Sequence, residues 1–218
     1  MNLAELREEV AYVVSAKIGD PDQDYDGGTT YPWKRIDRAI NQSIRTEYRE
    51  VINDCGPDPF WNTQPATWLS GSRLFSLPGD MRRGDLLALF DVSSSVRGTP
   101  IMVGERLTGA TVYWHDRKTL AWGTTGPGSE RTLALEHTAR PDPLELAAQE
   151  PLLFHQEHHD VFVWGAAVFL KSVTDESVPK IWRDSHAACR EQLIKFMSTY
   201  SPRALAYNGI DNYYEGAE

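Results

Sequence analysis

The chain has 218 residues, 41% of them apolar and 24% charged, ordinary globular usage that argues against wholesale disorder and against a coiled-coil rod. Its formal charge of −9 at pH 7 is the wrong sign for a protein that grips phosphates. Its longest apolar run, residues 161–170, is about half the roughly 20 residues a spanning helix needs, so a soluble, non-membrane protein of one large domain, or one domain with an insertion, is expected.

The first residues, Met1-Asn2-Leu3-Ala4-Glu5-Leu6-Arg7-Glu8-Glu9, lack the basic start and apolar stretch of a signal peptide. Leu6, Val10, Val13, Val14 and Ile18 make one helical stripe, and Gly19-Asp20-Pro21 is expected to end that helix. Residues 22–30 are acidic and contain Gly27-Gly28, which suits a connector. A second helix opens at Pro32, with Trp33, Ile36, Ile40, Ile44, Tyr48 and Val51 at helical spacing. Arg35, Arg38, Arg45 and Arg49 line its other side, interleaved with Asp37, Glu47 and Glu50, as expected of a solvated or subunit-facing surface rather than a nucleic-acid face.

Residues 53–72 hold three prolines, two glycines, Trp61 and Trp68, and read as a long irregular connection. Short β-type runs follow at 74–77, 86–92, 100–103, 111–114, 119–122 and 131–136, with Gly126-Pro127-Gly128 as a hairpin turn. Helical periodicity returns with Phe154, Val161, Phe162, Gly165, Val168 and Phe169, where Gly165-Ala166-Ala167 permits close helix packing. A last helix, capped by Ser177, carries the most regular stripe: Val178, Ile181, Trp182, Ser185, Cys189, Leu193, Phe196, Met197 and Tyr200. Ser201-Pro202 stops it, and Tyr207, Ile210, Tyr213 and Tyr214 then recur without periodicity. Aromatics in such a tail suit a segment that orders on a partner surface or docks on its own domain.

Chemistry-bearing motifs are sparse. Cys55 and Cys189 have no companions at CxxC spacing and read as buried free thiols. His155 and His159 lie four apart, as two metal ligands on one helix face would, but Gln156 stands where a zinc protease needs glutamate. A polar helix start, with Glu157 and Asp160 at the positive helix end, is the stronger reading. The 31 acidic residues permit a carboxylate pair of the glycosidase kind without pointing to one. No GxSxG elbow, P-loop or GxGxxG appears, so no catalytic residue, metal or cofactor is assigned. Arg82-Arg83 reads as solvated charge rather than an anion site.

Several segments together carry a family likeness: Gly19-Asp20-Pro21, Pro32-Trp33, Phe75-Ser76-Leu77-Pro78-Gly79-Asp80-Met81-Arg82-Arg83 and Thr132-Leu133-Ala134-Leu135-Glu136-His137. Pro151-Leu152-Leu153-Phe154, His158-His159-Asp160-Val161 and Gly165-Ala166-Ala167 complete it. Over residues 1–200 the chain resembles the head-to-tail adaptor (head-completion, connector) proteins of tailed bacteriophages. The resemblance implies a mainly α fold, a four-helix adaptor bundle with an inserted small antiparallel β subdomain and an extended C-terminal tail. Its parts would be bundle helices at 1–55, a β-rich insertion with connectors at 56–150, bundle helices at 151–200 and the tail at 201–218.

It further implies a non-enzymatic structural protein of the virion neck, assembled in the host cytoplasm. Copies would form a ring, usually of twelve, beneath the portal protein, joined to a tail or nozzle protein, with double-stranded DNA passing through without tight binding. Tyr207, Ile210, Tyr213 and Tyr214 would form a portal-binding tail. The rival readings are a virion-associated cell-wall glycan hydrolase and a metal-dependent hydrolase using His155 and His159.

Overall fold

A computed structural model describes residues 1–14, 17–19, 30–79, 81–93, 99–104, 111–123, 125–173 and 177–200. Over these the chain divides into two units, one running Met1–Pro59 and resuming at Arg140, the other Phe60–Ala139.

The first unit is helical. Asn2 caps α1 (Leu3–Val13): its side chain accepts from the Glu5 amide at 3.0 Å, and the Glu5 carboxylate accepts from the Asn2 amide at 2.9 Å. This reciprocal pair satisfies two otherwise orphaned donors. The amides of Leu3 and Ala4 donate to the carbonyls of Gln149 and Ala147, which fixes the returning chain to α1. α1 stops at Val13, short of the expected Gly19-Asp20-Pro21. Lys17–Gly19 instead forms β1, paired in parallel with β2 (Thr30–Pro32). Ile18 is β-branched, a residue type that strand pairing suits as well as a helical turn does.

Pro32, with φ at −56°, leads into α2 (Trp33–Cys55), as a ring preset for helical φ allows. α3 spans Asp160–Val173 and α4 Lys180–Thr199. Pro179 holds the capping position of α4 and supplies no side-chain bond, so the cap expected from Ser177 is not made. The core joins Leu3, Leu6 and Val10 of α1, Ile36, Ile40 and Ile44 of α2, and Phe162, Ala166 and Leu170 of α3. From α4 it takes only Leu193 and Met197. Among the described residues no helix is long and apolar enough to cross a membrane.

The second unit is built from strands. β3 (Trp61–Trp68), β10 (Arg131–Thr138), β5 (Leu86–Asp91) and β6 (Thr99–Pro100) form one sheet in that order. β4 (Leu74–Ser76), β9 (Thr119–Trp122), β8 (Val112–Trp114) and β7 (Val103–Gly104) form the other. Trp68, Leu89, Leu133 and Leu135 from the first sheet meet Phe75, Val112 and Leu120 from the second in one buried cluster. Leu133 and Leu135 lie two apart and so share a face of β10. At its centre the Trp68 ring stacks on Phe75 at 5.1 Å and meets Trp122 edge-on at 5.3 Å.

This arrangement corrects the expected mainly α bundle with a small antiparallel insertion. The protein is an α+β chain with a helical unit and a two-sheet unit, and β7 pairs with β8 in parallel. The largest miss is β3, read as an irregular connection. Its apolar and polar residues do not alternate cleanly, and Pro65 interrupts it. It lies at the sheet edge, however, where a proline without an N–H is tolerated. Gly126-Pro127-Gly128 is not a hairpin turn either, because β9 and β10 belong to different sheets. Gly126, at φ 80°, lets that crossing approach the Ser72 carbonyl, where a Cβ would come within 2.5 Å of its oxygen.

Candidate functional site

The most developed polar arrangement lies between α2 and α4. Glu47 is fully buried. Its Oε1 accepts from Nε2 of His186 at 2.9 Å and Nη2 of Arg190 at 2.6 Å, and its Oε2 accepts from Nε of Arg190 at 2.8 Å. His186 and Arg190 are one turn apart on α4, which aims both at one carboxylate. Burial alone would raise the Glu47 pKa, but the hydrogen bonds and charges of His186 and Arg190 outweigh it and hold the carboxyl below its ordinary range. The same contacts push Arg190 up.

A second fork closes α1 on α2, with Arg7 donating to both oxygens of Asp37 at 2.8 and 2.9 Å. Glu47 and Asp37, expected on the solvated side of α2, are thus both buried partners of cations. The signal for Glu47 was present: it follows Ile40 and Ile44 and precedes Val51 at spacings of four, three and four, in the core register.

The histidine segment divides by environment. His155 is exposed, and its Nδ1 accepts from the Glu157 amide at 3.5 Å. His159 is buried; its Nε2–H donates to the Phe154 carbonyl at 3.1 Å, and its Nδ1 accepts from the Met1 amino group at 2.8 Å. A carbonyl can only accept, so Nε2 carries the proton and the Nδ1 lone pair is engaged by the Met1 amino group. The two histidines expected as a ligand pair thus lie in different environments, His155 exposed and His159 buried. Among the described residues no group of three His, Cys, Asp or Glu side chains is placed to hold a metal ion.

Burial pushes the pKa of His159 below the ordinary histidine value, and burial also lowers His158. The unfolded chain then takes up a proton at a higher pH than the folded one. Stability from this source is complete above about pH 6.5 and is lost as pH falls below it. Melting temperature is accordingly expected to drop as pH falls below about 6.5, and His159→Gln should flatten that drop, leaving the share due to His158. An unchanged slope in the variant would show that His159 does not carry it.

Two grooves are open. A groove of about 380 Å³ is lined by Pro151, Leu152, Phe154, His155, Phe196 and Tyr200 among others, with Glu150 its one carboxylate. In the strand unit, Leu87, Ile101, Met102 and Trp114 line one of about 360 Å³, and Arg83 lies 5.7 Å over the Trp114 ring. Arg83 is thus stacked rather than merely solvated. The expected stripe of α4 is only partly covered: Leu193 and Met197 are buried, Val178, Trp182, Cys189 and Phe196 half-buried, and Ile181 is 68% exposed. Cys55 and Cys189 are free and only half-buried. Tyr207, Ile210, Tyr213 and Tyr214 lie outside the described residues.

No family model matches this chain, and no curated protein matches it. Among solved structures it is similar to a chain of the "Neck of native GTA particle computed with C12 symmetry", at 15% identity and a TM-score of 0.27. That alignment covers 73% of this chain and 84% of the other. A superposition that loose carries no argument about fold or role.

Proposed function

We propose that the protein is a structural head-to-tail adaptor of a tailed-phage virion, a ring subunit that sits under the portal, prolongs the DNA channel and docks the tail or nozzle. In this reading it is not an enzyme. The observation that carries the proposal is the half-covered apolar line of α4. Single exposed apolar residues are ordinary. A helix whose regular stripe is closed at one end by Leu193 and Met197 and left open at Ile181 suits a subunit completed by its neighbours. The net charge of −9 supports the role, since an acidic wall repeated around a pore repels phosphates and lets DNA slide.

The family likeness supplies the place in the virion, and Tyr207, Ile210, Tyr213 and Tyr214 are proposed as the portal-binding tail. The neck assembly that furnished the loose structural neighbour is of the same general kind, and the proposal does not depend on it.

Negative-stain electron microscopy of the full chain mixed with the portal protein of its own virus tests the reading. Rings capping the portal are expected. A chain truncated after Tyr200 is expected to keep the ring but lose at least about tenfold in portal affinity, as removal of several aromatic anchors does. A full-length chain that stays monomeric and ignores the portal would overturn the adaptor.

A further inference from the structure

We infer that adjacent copies meet head to tail through opposite charges, the outward face of α1 on one copy lying against the outward face of α2 on the next. The inference rests on the ring reading and adds to the open α4 stripe a second, charged contact between neighbours. Lys34, Arg38, Arg45 and Arg49 are all exposed on α2, at spacings of four, seven and four. At 100° per residue they fall within an arc of about 60°, opposite Ile36, Ile40 and Ile44. On α1, Glu5, Glu8, Glu9 and Tyr12 are likewise exposed, within an arc of about 100° and opposite Leu3, Leu6 and Val10. Tyr12 is 82% exposed beside these carboxylates.

Among the described residues no carboxylate pairs with Arg38, Arg45 or Arg49, and no cation pairs with Glu8 or Glu9. Glu5 to Tyr12 rises about 10 Å and Lys34 to Arg49 about 22 Å, so the acidic face spans about half of the basic line. An acidic patch on one helix and a basic patch on another form a heterologous pair, the kind of contact that closes into a ring when repeated. Complementary charge fixes register and excludes wrong pairings, and the exposed Tyr12 supplies an aromatic anchor. Duplex DNA is the other polyanion that would fit the basic line. The overall acidity of the chain disfavours it, and an acidic counterpart is present on every copy.

The test uses the full chain and two charge-reversed variants, Glu8→Arg/Glu9→Arg and Arg45→Glu/Arg49→Glu, followed by sedimentation velocity and electron microscopy. Wild type should form rings. Each variant alone should dissociate at least about tenfold more readily, because like charges then face each other. An equimolar mixture should regain rings of alternating subunits, since each variant's altered face is complementary to one on the other. Recovery on mixing excludes misfolding as the cause of the single-variant loss. Rings unaffected by both reversals would overturn this interface while leaving the adaptor intact, and so would loss without recovery on mixing. A wild-type chain that never assembles would overturn both. DNA binding abolished by Arg45→Glu/Arg49→Glu with assembly intact would assign the basic line to nucleic acid and overturn the inference.

Discussion

Glu47→Ala is expected to destabilise the helical unit by about 2–4 kcal/mol, read as a shift in denaturant midpoint at unchanged slope. The carboxylate is fully buried and accepts from Arg190 and from Nε2 of His186, so its removal leaves the guanidinium without a counter-charge and both donors facing a cavity. Breaking such a pair costs about 3–5 kcal/mol in a closed interior. The lower figure applies because the side chains of His186 and Arg190 keep 17% and 30% of their exposure and reach water in part. Replacing all three, as Glu47→Leu with His186→Leu and Arg190→Met, should recover most of the loss, because an apolar set of similar volume needs no charge partner. A triple variant as weak as Glu47→Ala would show that packing, not charge, dominates there.

The same carboxylate gives a second readout. Its folded pKa is lowered, so its contribution is present above the ordinary carboxyl value and disappears as pH falls through the folded one. The wild type should therefore lose stability on acidification below about pH 4.5, and the triple variant should lose less there. This limb sets in at lower pH than the histidine limb, which begins at about pH 6.5. His159→Gln alters only the latter, so the two variants apportion the acid sensitivity between α2–α4 and the segment before α3.

The contact of Glu47 with His186 and Arg190 shows what periodicity reveals and what it hides. Core positions of α2 followed from periodicity, and Ile36, Ile40, Ile44 and Val51 are buried as their spacing requires. Periodicity says which face is inward but not whether a charged residue on that face finds a partner. Glu47 was assigned outward by residue type, although it lay in the inward register. Its partners are about 140 residues away, beyond any local signal.

For α4 the reverse holds, since its stripe was the most regular in the chain and its own unit covers only part of it. A regular stripe records that something packs against the helix, not that the same chain does. Among the strands, 86–92, 111–114, 119–122 and 131–136 were legible because apolar runs between glycines mark them. β3 was not, because edge strands tolerate the proline and polar residues that elsewhere mean loop. The Gly126-Pro127-Gly128 punctuation was visible, but whether a turn joins neighbours or crosses between sheets depends on partners that punctuation does not name.

Gly165→Ala is expected to destabilise the same junction by about 1–3 kcal/mol, although alanine favours a helix interior by about 1 kcal/mol over glycine. A Cβ at that position would meet Oγ of Ser43, lie 3.2 Å from its Cβ and come within 3.0 Å of Nε2 of His186. Oγ of Ser43 has no hydrogen-bond partner among the described residues, so it can rotate away at little cost. The imidazole cannot yield as easily, because Nε2 is the atom that donates to Glu47 at 2.9 Å. Any displacement lengthens that bond and leaves part of a buried charge uncompensated. Adding Ser43→Ala to Gly165→Ala should therefore recover only a fraction of the loss, while adding Gly165→Ala to the apolar triple variant should cost less than in the wild type. A cost that is the same in both backgrounds would show that Gly165 serves helix packing alone. A smaller cost in the apolar background would show that the glycine keeps α3 clear of the charged contact that fastens α4 to α2.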